Sequence, residues 1–201
     1  MPPRQIRAAQ TATTITIYQA YAPAIADAAL AAGRFVIPFK RDRMTWIKPS
    51  LLWMAYRSGW ATKPGQERVL AIEITRVGFE WALEHSCLSH YEPGTYADHD
   101  DWVAHKNSSP VRIQWDPERD LHHQPLDHRS IQIGLSGPAV DHYVDDWTVT
   151  IADTTDLFHH IHELIGTNRA EQAEHLLPEE TPYPLTPHLA ATIGATRHPI
   201  T

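Results

Sequence analysis

Residues 38–50 read Pro38-Phe39-Lys40-Arg41-Asp42-Arg43-Met44-Thr45-Trp46-Ile47-Lys48-Pro49-Ser50. Four cations stand beside an indole, and the run ends where a helix should begin. Guanidinium forks and the free amides of a helix N-terminus both bind phosphate oxygens. Trp46 offers a face on which a base or a nicotinamide can stack. The pattern therefore suits the phosphate of a nucleotide or a nucleic acid. The plainer alternative is a solvated basic loop with Trp46 buried as an anchor, although Phe39, Trp46 and Met44 are unusual in such a loop.

A second set of groups lies further on. Gln114-Trp115-Asp116-Pro117-Glu118-Arg119 reads as a strand end running into a turn. There the Glu118 carboxylate could act as a general base or stabilise an oxocarbenium ion. The alternative is an ordinary Asp-Pro turn with Glu118 in water. Ser130, Gln132 and Gly134 share one face of an alternating segment. Gln132 there either hydrogen-bonds a ligand or decorates an exposed sheet face. His159 and His162 are spaced i,i+3, His122 and His123 are adjacent, and His142 lies near Asp141 and Asp145. None of these has zinc-ligand spacing, and Cys87 stands alone, so no metal site is expected.

Those groups need elements to hold them. Thr14–Tyr18, Arg68–Ile74, Val111–Trp115, Ser130–Leu135 and Trp147–Ile151 alternate as strands, and Arg34–Ile37 reads as a short one. Helices are expected over Ala24–Ala32 (stopped by Gly33), Leu51–Tyr56 (stopped by Gly59, with Lys48 near the N-cap), and Val77–His85. Further helices are expected over Ala139–Asp145, Thr155–Ile165 and Arg169–Leu177. Residues 86–109 read as irregular, with a helical turn near Trp102, and 116–128 as a long polar loop. This irregular interleaving favours a single α+β domain with a mixed or largely antiparallel central sheet flanked by helices. The domain spans 13–177, after a polar arm over 1–12 and before an extended Pro-rich tail over 178–201. GxGxxG, GxxxxGK[ST] and GxSxG are all absent, which removes most support for Rossmann, P-loop and α/β-hydrolase readings.

Composition sets the outer limits. The chain has 201 residues, 42% hydrophobic and 20% charged, which is not a disordered composition. One cysteine excludes an intrachain disulfide framework. Apolar runs fall far short of the ~18 residues of a membrane span. Arg4 and Arg7 have no apolar stretch behind them, so a cytoplasmic protein is expected. The net charge of -7 is uneven: residues 1–76 hold 11 Lys and Arg against 4 Asp and Glu, and the remainder reverses the balance. The basic part suits a phosphate partner. Alternatively, the two parts pack together and neutralise each other.

The 38–50 run resembles the uncharacterised bacterial family called domain of unknown function 4291, as do Arg4-Gln5-Ile6-Arg7-Ala8, Trp115-Asp116-Pro117-Glu118-Arg119 and Arg129-Ser130-Ile131-Gln132-Ile133-Gly134-Leu135. That resemblance covers nearly the whole chain and brings no activity with it. A second similarity is to the ADP-ribosyltransferase fold. In that fold a first strand carries Arg or His, often with Tyr, and precedes a helix. A second segment with an aromatic or Ser/Thr precedes another helix, and a late strand carries a catalytic Glu. Here Ile17-Tyr18-Gln19-Ala20 matches the first segment, Thr45-Trp46 with Ser50 the second, and Glu118 or Gln132 the third. Gln19 stands where many members have His, and Gln132 would lack the charge.

This similarity implies an enzyme with NAD as co-substrate and a protein or nucleic-acid acceptor. Tyr18, Glu118 and Gln132 are its candidate catalytic residues. Arg7, Gln19, Lys40, Arg41, Arg43, Trp46, Lys48 and Ser50 are candidates for binding NAD. The alternatives are a nucleotide or nucleic-acid binding module without chemistry, which would use the same basic and aromatic residues, and a small interaction protein whose charged halves bind a partner or each other.

Overall fold

Long strands form where β-branched residues alternate. In the computed structural model, which describes residues 3–196, Thr14–Tyr21 is the edge strand β2 of a three-stranded antiparallel sheet. Its neighbours are β4 (Arg68–Thr75) and then β8 (Thr148–Asp153). Ile15 faces Ile74 and Ile17 faces Ile72 across the β2–β4 pair, and all four side chains are fully buried. The opposite face of this sheet carries Tyr18, Val69 and Ala71, and packs against Phe158, Ile161 and Leu164 of helix α6 (Thr155–Gly166). The sheet thus lies between two apolar clusters, and burial of each large apolar side chain contributes ~1.5–3 kcal/mol.

A four-stranded sheet runs β3 (Thr45–Ile47), β7 (Pro125–Leu135), β6 (Val111–Arg119), β5 (Ser86–Leu88). All its pairings are antiparallel except β5 with β6. Val111, Ile113 and Trp115 pair with Leu135, Ile133 and Ile131 on the core face. The other face is polar, with Arg112 opposite Gly134, Gln114 opposite Gln132 and Asp116 opposite Ser130. The α+β class and the antiparallel character agree with the sequence. The hairpin does not: residues expected to form a loop over 116–128 continue both strands, and β6 and β7 pair as far as Arg119 with Pro125. Arg34–Ile37 forms no strand. Phe35 is buried there among Tyr21, Phe39 and Tyr143, an aromatic contact that needs no sheet pairing.

Helix α1 (Pro23–Ala32) follows β2 and stops at Gly33, whose φ of 65° is costly for a residue with a Cβ. Helix α2 (Leu51–Ser58) follows β3. Its N-cap is Ser50, which accepts from Trp53 N–H at 3.0 Å, and not Lys48; such a cap contributes ~1 kcal/mol. Helix α3 (Arg76–Glu84) follows β4, and α4 (His99–Ser108) occupies much of the stretch expected to be irregular. A short α5 (Pro138–His142) runs into a π-helical turn over Tyr143–Trp147, and α7 (Ala170–Glu174) follows α6.

The chain ends join the body. Strand β1 (Arg7–Ala8) pairs with β9 (Thr181–Pro182), and α8 (Pro187–Thr192) follows in the stretch expected to be extended. Ile6, Ala8, Tyr183, Leu189 and Ile193 are all buried in the main cluster. The first two residues of the arm, and the end of the tail with Pro199, lie outside the described residues. No helix among those described is long and apolar enough to cross a membrane.

Candidate functional site

The two larger sheets meet where β2 runs beside the end of β3. Tyr18 N–H donates to the Lys48 carbonyl at 2.7 Å. The Gln19 amide donates to Thr45 Oγ1 at 2.7 Å and to the Trp46 carbonyl at 3.0 Å, and its oxygen accepts from the Tyr143 hydroxyl at 2.7 Å. Gln19 is therefore a brace between the sheets, with its amide already engaged.

Next to this seam a cleft of about 400 Å³ opens, a size that small-molecule sites commonly have. Gln19, Lys40, Arg43, Trp46, Lys48 and Arg57 line it, together with the rims of α1 and α2. Trp46 stands opposite Gly134 of the neighbouring strand, with its indole against that glycine. A Cβ at Gly134 would stand 2.8 Å from Met44 Sδ and 3.0 Å from two atoms of the indole. Lys40, Arg43 and Arg57 are exposed, whereas Lys48 is only 5% exposed. Its Nζ lies 5.3 Å from the centroid of the Trp53 ring. Burial, and then the Arg57 charge, pull its pKa down from 10.5 to about 7, against the opposing effect of Asp116.

Beyond Lys48 lies a group of acids. Glu118 belongs to β6 and not to a turn. One of its oxygens accepts from Arg119 N–H at 2.8 Å. Burial raises its pKa, and that N–H and the Ser50 and Ser130 hydroxyls counter the rise in part. Glu180, from the C-terminal segment, accepts at Oε1 from Leu51 N–H at 2.8 Å, at the first turn of α2. Burial raises it from 4.5 to about 8, and the Glu118 charge adds to the effect. Glu118 and Glu180 thus act on each other beside the start of α2. The Tyr18 hydroxyl is pushed upward by its own burial and then by Glu180.

The sequence candidates divide between these places. Lys40, Arg43, Trp46, Lys48 and Gln19 line the cleft; Glu118, Ser50 and Tyr18 belong to the acidic side. Tyr18 does not form a cleft wall. It is 3% exposed and packs at 6.5 Å from Phe158. Ser50 is occupied as a helix cap. Arg7 donates to the Glu180 carbonyl at 2.6 Å, so it supports the acidic side and does not reach the cleft. Arg41 lies off the cleft, donating to Asp145 at 2.6 and 2.7 Å and to Asp141 at 3.1 Å. The Gln132 amide donates to Asp116, whose other oxygen accepts from Gln114 at 3.0 Å.

Sequence reasoning missed Glu180 and Arg57. Arg57 lies in the last turn of a helix whose N-terminus had already been tied to the site. Glu180 had no such signal, because β1–β9 pairing brings it in from the far end of the chain. Among the described residues, no group of three or more His, Cys, Asp or Glu is placed to hold a metal ion. His162 instead stacks on Trp60, with ring centroids 6.0 Å apart.

The chain belongs to the family described as "Domain of unknown function (DUF4291)", whose model matches residues 5–183. That span takes in Arg7, the cleft, Glu118 and Glu180. Comparison with curated proteins gives no match, and neither does comparison with solved structures.

Proposed function

We propose that the protein is an NAD-consuming enzyme of the ADP-ribosyltransferase type, acting on a protein or nucleic-acid acceptor. One observation carries this reading. The three segments of the similarity, separated by up to a hundred residues, converge on Lys48 and the start of α2, with a cationic cleft to one side and Glu118 to the other. Many α+β folds share that order of segments, but their meeting at Lys48 and the start of α2 is a narrower property.

In this reading Lys40, Arg43 and Arg57 take the pyrophosphate, and Trp46 stacks on a flat ring of the dinucleotide. The bond from nicotinamide nitrogen to ribose C1′ breaks, and its electron pair leaves with nicotinamide. Positive charge develops at C1′, and the Glu118 carboxylate stabilises it. The acceptor nucleophile then bonds to C1′ and gives up its proton. Glu180, ionised in part as pH approaches its raised pKa of about 8, is suited to receive it.

The deciding experiment measures nicotinamide release from NAD, with protein, DNA and RNA acceptors. Release by the parent, lost in Glu118→Gln with the melting temperature little changed, supports the reading. Tight nucleotide or nucleic-acid binding without any release would replace it with a binding module that uses the same cleft.

A further inference from the structure

We infer that Lys48 is a reactive amine that condenses with the carbonyl group of a phosphorylated aldehyde drawn into the cleft. The inference uses the cleft but does not rest on NAD as substrate.

Lys48 differs from the other three lysines of the chain. Lys40 is exposed at the cleft rim. Lys63 donates to the carbonyls of Tyr56 and Arg57 at 3.2 and 2.9 Å. Lys106 lies over the Trp102 ring at 4.6 Å, much as Lys48 lies over Trp53, but it does not line the cleft. Lys48 alone is buried, lines the cleft and, among the described residues, has no carboxylate within the 4.0 Å of an ion pair. A buried amine next to another cation is the arrangement that leaves a lysine neutral and nucleophilic. Arg57 supplies that cation, and the resulting fall to about 7 is consistent with the geometry.

The surroundings suit an imine. The Lys48 backbone is fixed by the Tyr18 hydrogen bond, so its amine is aimed by both sheets. Asp116, held by the amides of Gln114 and Gln132, favours positive charge at Lys48 and would favour a protonated imine in the same way. The exposed Arg43, Lys40 and Arg57 are free of carboxylate partners within ion-pair distance among the described residues, and can take the ligand phosphate. The step balances without an external oxidant. The Nζ lone pair forms a bond to the carbonyl carbon, the carbonyl oxygen becomes hydroxyl, and the hydroxyl leaves as water with the second amine proton.

Pyridoxal 5′-phosphate serves as the probe. The protein is incubated with it near pH 7.5 and reduced with borohydride, and the modified lysines are mapped by peptide mass. Lys48 should carry the reduced adduct at least ~10-fold above each of Lys40, Lys63 and Lys106, the size of effect expected from ~1.4 kcal/mol of preferential binding. Lys48→Arg should remove that adduct. Arg43→Ala, an exposed change that leaves the fold intact, should lower it, and pyridoxal without phosphate should label Lys48 much less. Labelling spread evenly over the lysines, or absent from Lys48, overturns the inference. Equal labelling by pyridoxal overturns the phosphate requirement that forms part of it. Nicotinamide release, assayed on the same preparations, reports separately on the NAD reading.

Discussion

On the cleft side of Lys48 the cations Lys40, Arg43 and Arg57 stand in solvent, whereas on the other side Glu118 and Glu180 are half-buried in protein. Solvated charges attract a ligand at little cost to folding. Enclosed carboxylates lose hydration, so their pKa values rise and their charge acts strongly at short range. Lys48 combines both conditions, since it lines the cleft but is desolvated like the acids. In the proposed reaction, attraction belongs to one side and chemistry to the other.

The sharpest way to break that division is kinetic. Glu118→Gln should lower kcat for nicotinamide release on the order of a hundredfold, as loss of ~3 kcal/mol of transition-state stabilisation requires. Trp46→Ala should chiefly raise KM. Equal effects of the two variants on kcat would erase the distinction.

Next come the pH profiles of stability. Glu180 has a folded pKa of about 8 against an ordinary 4.5, so the folded state keeps a proton that the unfolded state loses. Its contribution to stability is therefore lost as pH rises from 4.5 to 8. Lys48, at about 7 against 10.5, behaves oppositely: its penalty is complete below pH 7 and is relieved as pH rises to 10.5. Glu180→Gln should match the parent near pH 4.5 and exceed its melting temperature above pH 8. Lys48→Met should exceed it most below pH 7. Each ~1 kcal/mol corresponds to ~2–4 °C for a chain of this size. Parallel melting curves for parent and variants across pH 4.5–9 would contradict both enclosures.

Gly134→Ala tests the indole platform. The new methyl would push Met44 and Trp46 aside, at a cost of ~1–3 kcal/mol in unfolding free energy, and would weaken nucleotide binding measured by calorimetry. The smallest effect belongs to Arg41→Ala. Its partners Asp141 and Asp145 are exposed, so stability should fall by less than ~1 kcal/mol, with nucleotide affinity unchanged.

Much of the framework was legible from local pattern. Alternation located β2, β4 and the inner parts of β6 and β7, and Gly33 and Gly59 marked where α1 and α2 end. The type and spacing of Arg43, Trp46 and Lys48 marked them as candidates to meet a phosphate, and the structure sets these three along one cleft, without the Tyr18 that was grouped with them. Three kinds of feature escaped. The outer half of the β6–β7 hairpin is polar on both strands, so its pairing leaves no hydrophobic period to read. Ser86–Leu88 is buried at every position and too short to show a period at all. The Pro-rich tail masked a legible start signal, Thr186 before Pro187, where Thr186 caps α8 by accepting from Leu189 N–H at 3.2 Å.

What the sequence determined by itself is the α+β class, the order of the main elements and the inventory of groups able to meet a phosphate. Those properties depend on neighbours within a few residues, where backbone preference and side-chain period act. Tertiary structure decided which groups keep company. Pairing of β1 with β9 brought Glu180 to Glu118, the seam between β2 and β3 enclosed Lys48, and Arg41 was drawn away to Asp145. Proton affinity follows from desolvation and from charges a few ångströms away, and both are properties of the packed chain.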